Sequence, residues 1–304
     1  MILSPFDKPG QFWRGNLHCH STRSDGDLPP EEVARRYRAQ GYHFYCQSDH
    51  FMAEFDYPIT DTTALRTTGF TTLLGAELHA PALANGEIWH ILAVGLPADF
   101  APNDDGETGP ELARRASQAG AFVALAHPQW YGLTLEDARQ IDFADAIEVF
   151  NTTCAVRADR PDGTYLLDQM LLDGMTPYAI ATDDAHFRDA VNSNADAFGG
   201  WVMVKAETLE PSSLLAALKL GDFYASQGPE LRHIETQNDM LHITCSAVER
   251  ITILGPRAKS ETFPGKAMTS AHLPVEAFRG DWLRVVVTDA AGKRAWSNPF
   301  RFGA

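Results

Sequence analysis

Only four cysteines occur in 304 residues, and Cys19, Cys46, Cys154 and Cys245 form no CxxC pair. That scarcity argues against a disulfide framework and against a thiolate zinc knuckle, and leaves buried free thiols as the expectation for Cys19 and Cys46. Basic residues are also few, with 25 Lys and Arg against 40 Asp and Glu and a formal charge of -15. A long nucleic-acid duplex needs clustered cations on its phosphates, so no such partner is expected. No apolar run reaches the ~20 residues of a membrane-spanning helix. The opening MILSPFDKPGQFWRGN lacks the basic start and apolar stretch of a secretory signal. A cytoplasmic setting without membrane contact is expected. Hydrophobic residues at 44% and charged residues at 21% are ordinary for a globular protein, and the length allows one large core with a smaller one beside it.

Short apolar runs read as strands: NLHCH (16–20), HFYCQ (43–47), TTLLGAE (71–77), IWHILAVG (88–95), FVALAHP (122–128), DAIEVFN (145–151), YAIATDD (178–184) and GWVMV (200–204). Amphipathic stretches at 30–38, 109–118, 164–173 and 209–220 read as helices between them. The alternation predicts an α/β fold with much parallel sheet, barrel-like rather than open. After residue 228 the texture changes to apolar/polar alternation without helices, and Asp289-Ala290-Ala291-Gly292 reads as a hairpin turn. The expected organisation is an α/β unit over 1–228 and a small all-β, sandwich-like unit over 229–304.

His18 and His20 form His-Cys-His, which on a strand would turn both imidazoles to one face. Asp25 follows in the turn-rich STRSDGD, where an Asx turn before Gly26 is an equal reading. Recurrence gives these residues weight. His50 ends CQSDH, Glu77 ends LLGAE, His127 ends VALAH, and Asp184 with His186 ends ATDDAH. Each closes a strand-like run, and in barrel enzymes that edge carries the active site. Imidazole and carboxylate together suit Zn, Fe or Mn. His90 sits near the start of its run, and periodicity leaves it open between a core histidine and a ligand.

HCHSTRSDG, SDH, GAE, WHILAVG, AHP and DDAH, in this order over residues 14–228, resemble the polymerase-and-histidinol-phosphatase (PHP) family of metallohydrolases. The junction GDFYASQGPEL and the ending AWSNPF are similar to the branch with carbaryl-hydrolase-like proteins. The resemblance implies a distorted seven-stranded (β/α) barrel and two or three divalent ions. One ion would use His18, His20, Glu77 and Asp184. A second would share Glu77 and add His90 and His127, and a third would use Asp25, His50 and His186. Some relatives have His where this chain has Asp25. Catalytic roles would fall to Glu77, Asp184 and His186.

Other polar residues have two readings each. Asp49 and Asp183 precede ligands and either orient an imidazole or sit solvated in loops. Glu148 and Asn151 end a strand and could face the pocket. Arg23 and Arg188, with Arg157 and Arg160 as further options, either grip an anion or lie in solvent. His43, His79, His233, His242 and His272 fit no motif and are expected to be structural. The expected function is hydrolysis of a small phosphorylated substrate by metal-activated water. Hydrolysis of an amide, ester or carbamate is the alternative, and a non-catalytic metal-binding module is the third reading. Strand edges after residue 228 tend to pair, which allows a homo-oligomer.

Overall fold

The structure is a computed structural model that describes residues 3–188 and 194–303. It begins with β1 (Gln11–Asn16), α1 (Pro30–Ala39), β2 (Phe44–Gln47), β3 (His50–Phe51), β4 (Thr71–Ala80) and β5 (Trp89–Val94). It continues with α2 (Gly109–Gln118), β6 (Phe122–Leu125), α3 (Leu135–Ala138), β7 (Ala146–Asn151), α4 (Thr152–Ala158) and α5 (Thr164–Leu172). Then come β8 (Tyr178–Thr182), β9 (Trp201–Ala206), α6 (Pro211–Lys219) and β10 (Phe223–Ser226). The last part holds β11 (Leu231–Gln237), β12 (Met240–Leu254), β13 (Ser260–Pro274), β14 (Trp282–Thr288), β15 (Arg294–Ser297) and β16 (Phe300–Arg301).

Local sequence explains the helix ends. Pro30 opens α1, with Glu31 and Glu32 in the first turn and Arg36 and Arg38 in the last, where their charges complement the helix dipole. Thr108 and Glu111 close a capping box on α2, a device contributing about 1 kcal/mol.

The strands join one sheet in the order β11-β12-β14-β15-β10-β9-β1-β2-β4-β5-β6-β7-β8, with β3, β13 and β16 attached beside it. β2 runs parallel to β1 and β4, and β7 parallel to β6 and β8. β5 is antiparallel to both its neighbours, and β9 to β1 and β10. The expected closed barrel is therefore corrected to a mixed sheet that does not close. Its curled end meets the start of the chain only past the strands, at the isolated bridge Cys19–Ala185. Residues 81–88 between β4 and β5 are too few for a parallel crossover, which forces β5 to turn back.

Both faces of this sheet are covered. Ile91, Ala93, Val123, Leu125, Ile147 and Val149 enter one core, while Leu92, Val94, Phe122, Ala124 and Ala146 enter another. Burial on both sides is why the runs read as continuously apolar rather than alternating. The NLHCH run is a second correction. β1 ends at Asn16, where the Asn16 amide donates to the His18 carbonyl and draws the chain out of the ladder.

The regular elements of residues 229–303 are strands and one 3₁₀ turn, and the hairpin turn at 289–292 joins β14 to β15 as expected. These strands extend the same sheet, because β15 pairs with β10. Leu3 donates its N–H to the Ile234 carbonyl and packs in the core of β11, β12 and β14. All four cysteines are buried and free. Among the described residues no helix is long and apolar enough to cross a membrane.

Candidate metal centre

Strand direction explains where the candidate ligands lie. Glu77 is near the end of β4, His127 follows β6, and Asp184 and His186 follow β8. Because β5 runs the opposite way, its beginning lies at the same edge, and His90 joins the others from there. His50 on β3 pairs with Glu77 in register. His18 and His20 reach the site through the Cys19–Ala185 bridge, reinforced by hydrogen bonds from Asp184 N–H to the His18 carbonyl and from His20 N–H to the Ala185 carbonyl.

The side chains converge into overlapping groups whose ligand atoms lie within 4.8 Å of one another. His20, Asp25, His50 and His186 form one group, Glu77, His90 and His127 another, and His18, His20 and Glu77 a third. His18, His127 and Asp184 form a fourth. Glu77 is wholly buried, with Oε1 2.8 Å from His90 Nδ1 and 3.0 Å from His127 Nε2. A fifth group contains His79, expected to be structural, with His50 and Glu77. Its Nε2 lies 2.8 Å from His50 Nδ1 and 3.3 Å from Glu77 Oε2. The pattern Glu-Leu-His carried the signal, since residues two apart on β4 share a face.

This donor set fits divalent cations. His18 Nε2, Asp25 Oδ1 and Glu77 Oε2 are buried without a well-directed hydrogen bond among the described residues, although Glu77 Oε2 lies 2.6 Å from His50 Nδ1. Unpaired buried acceptors at such density are costly unless a cation takes their lone pairs. Imidazole and carboxylate donors suit Zn, Fe or Mn. Burial opposes ionisation of Glu77 and Asp184, yet the surrounding histidines hold both carboxyls well below the usual carboxylate range. Burial likewise opposes charge on His50, but Glu77 and Asp25 raise it to about 10. Burial, helped by neighbouring histidines, lowers His20 and takes His90 to about 4.

A second layer of residues holds the ligands in place. Glu148, wholly buried, accepts from His18 Nδ1 at 2.8 Å, from His127 N–H at 2.7 Å and from Thr182 Oγ1 at 2.6 Å. Asn151 donates to Glu148 and to Asp184. Both residues therefore stand behind the ligands and do not line the pocket. Asp184 and His127 adopt φ of 55° and 22°, conformations that persist in non-glycine residues only where surrounding contacts impose them. Thr153 Oγ1 bonds the Asp184 carbonyl at 2.6 Å, and Glu148 grips His127 N–H.

Asp49 and Asp183 follow neither of their expected readings, because each is wholly buried and neither hydrogen-bonds an imidazole. Asp49 accepts from Ser21 N–H and from the Ser21, Ser24 and Thr60 hydroxyls. Asp183 accepts from Phe198, Gly199 and Gly200 N–H and from the Tyr37 and Thr152 hydroxyls. Burial pushes Asp183 up to about 6 against these donors. Gly26 lets the loop close, since a Cβ there would lie 2.7 Å from the His20 carbonyl carbon.

A cavity of about 310 Å³ opens onto Asp25, His50, Glu77, His90, His127, Asp184 and His186. Trp130, Thr153, Cys154, Ala158, Arg157 and Arg188 complete its wall. That size suits a small molecule. Arg157 Nη2 lies 3.4 Å from Asp196, and Arg188 is tied to the Asp25 carboxylate and carbonyl. Arg23 lies elsewhere, lining a separate cleft with Pro30, Glu31 and Ile59. Asp49 draws the Ser21 and Ser24 hydroxyls inward, and the intervening Arg23 is left exposed. Arg160 holds the Trp130 carbonyl from outside the cavity.

No protein-family model and no curated protein matches the chain. A solved structure from Bacteroides vulgatus, a two-domain protein containing a predicted PHP-like metal-dependent phosphoesterase, is similar at TM-score 0.54 and 16% identity. The match covers 93% of this chain and 94% of that one. An amidohydrolase from Chromobacterium violaceum is similar at TM-score 0.44 and 16% identity, over 57% of this chain and 87% of that one. The first likeness establishes a shared fold along almost the whole length of both chains.

Proposed function

We propose that the chain is a metal-dependent phosphoesterase of the PHP family, acting on a small phosphorylated substrate. The observation carrying this reading is the placement of Arg157 and Arg188 on the wall of the cavity that exposes the ligand cluster. Two guanidinium groups beside a cationic centre suit a phosphate ester better than a neutral carbamate or amide.

Two or three divalent ions would supply water acidic enough to ionise near neutral pH and would offset charge on the phosphoryl oxygens. His18, His20, Glu77 and Asp184 would hold one position, Glu77, His90 and His127 a second, and Asp25, His50 and His186 a third. His79 stands beside the second and third. Glu148 fixes the orientation of His18 and the backbone of His127, so that neither donor must reorganise when the centre fills. Arg157 and Trp130, the latter 42% exposed, line the cavity where the rest of the substrate would lie. Residues 229–304 contain none of the ligands and form a second unit without chemistry of its own.

The test is turnover of metal-loaded protein on phosphomonoesters, phosphodiesters and aryl carbamates, with metal content measured on the same sample. Phosphate release with two or three equivalents of Zn, Fe or Mn supports the reading. Turnover of carbamates alone, or less than one equivalent after reconstitution, overturns it.

A further inference from the structure

A second polar groove lies between α5 and the strands β12, β14 and β15. The ladder register builds it. Arg250 pairs with Thr288, which pairs with Arg294, so these residues form one cross-strand row. Thr262, Thr252, Val286 and Trp296 form the adjacent row by the same pairings. Residues in register or two apart share a face, so both rows line one side of the sheet. The resulting groove is about 270 Å³.

Part of its polarity is spent on holding α5. Arg284, 2% exposed, makes two bonds of 2.9 Å to Asp168, and Arg294 bonds Asp162 at 2.8 Å. Two groups are left over. The Trp296 indole N–H is buried, in a residue 1% exposed, and has no acceptor among the described residues. Arg250 is exposed at the groove, and no ion pair or hydrogen bond of its side chain occurs within the described protein. Buried N–H donors are almost always satisfied, and this one sits where three guanidinium groups face two carboxylates. Of the groove's hydroxyls, Thr164 already donates to Asp162 and Thr252 bonds Thr262, which leaves Thr288 beside the indole and the Arg250 guanidinium.

We propose that this groove binds a small oxyanion of the phosphate type, received by the Trp296 indole N–H and the Arg250 guanidinium. The chain as a whole carries a formal charge of -15, so an oxyanion would be held by these two local donors and not by the protein's overall field. The groove shares no lining residue with the cavity at the metal centre.

The experiment follows the indole N–H resonances of the full-length ¹⁵N-labelled protein during titration with inorganic phosphate. Trp296→Phe removes one of the six indole peaks and assigns it, with triple-resonance assignment as the route if that variant does not fold. The Trp296 peak is expected to move saturably, and Arg250→Ala, at an exposed position, to weaken that titration by at least about tenfold. Phosphate bound only at the metal centre would leave the Trp296 peak in place. An unmoved peak, or one that titrates identically in Arg250→Ala, overturns the proposal.

Discussion

Nδ1 of His18 lies 2.8 Å from Oε1 of Glu148, with neither residue exposed to solvent. The other oxygen of that carboxylate takes His127 N–H and the Asn151 amide, so one buried group steadies two candidate ligands. Glu148→Gln is expected to fold normally yet bind Zn or Mn about 10- to 100-fold more weakly. Competition against a chelator measures this, and an unchanged affinity would show that Glu148 serves the fold alone.

Glu77 belongs to three of the ligand groups. Replacing it with Ala is expected to empty the centre and to lower phosphate-ester hydrolysis by at least about a thousandfold. Far-UV circular dichroism should be unchanged, because the neighbouring Leu78 and Ala76 face the opposite core. A folded variant that keeps more than about a tenth of the activity would displace Glu77 from the centre of the scheme.

Arg157 and Arg23 make a contrasting pair. Arg157→Ala removes a cation from the cavity wall and is expected to raise KM about tenfold with a smaller change in kcat. Arg23→Ala alters a separate cleft and should leave both constants alone. Equal effects of the two substitutions would mean that Arg157 does not contact substrate.

Asp49→Ala removes one acceptor shared by Ser21, Ser24 and Thr60 and leaves buried donors unpaired. A loss of about 2–4 kcal/mol of unfolding free energy is expected in urea denaturation. A loss below about 0.5 kcal/mol, the size of an ordinary surface substitution, would contradict the role given to Asp49.

Ending the chain near Gly228 strips β15 from β10 and uncovers Phe150, whose ring stacks on Trp296 at 6.3 Å. Such a protein is expected to keep its metals while losing solubility or changing its oligomeric state. Elemental analysis with size-exclusion chromatography checks both halves. A soluble, folded truncation that holds no metal would place part of the centre's support in residues 229–304.

The candidate ligands at strand ends were legible because histidines and carboxylates stand out against apolar runs, as with His127 after FVALA. His90 was not, because run position reveals an edge only when strand direction is known, and β5 is reversed. His79 escaped because β4 was taken to stop at Glu77, whereas it continues to Ala80 and pairs His79 with His90. The helices at 109–118 and 164–172 showed in their periodicity, while α4 was hidden by starting directly after β7. Closure of the sheet depends on pairings between distant segments, which periodicity does not report. Asp49 and Asp183 illustrate the same limit, since their partners are set by loop geometry.

Ser4 hydrogen-bonds Asp222, 218 residues later, and Leu3 is bound to Ile234. Translation delivers the front of the chain first, so these residues lack their distant partners until most of the polypeptide has left the ribosome. His18 and His20 share that wait, because Asp184 and the strand leading to it are made late. A newly made chain therefore cannot complete its metal centre by folding in order of synthesis, and any ion captured early would be held by fewer donors than the finished protein provides.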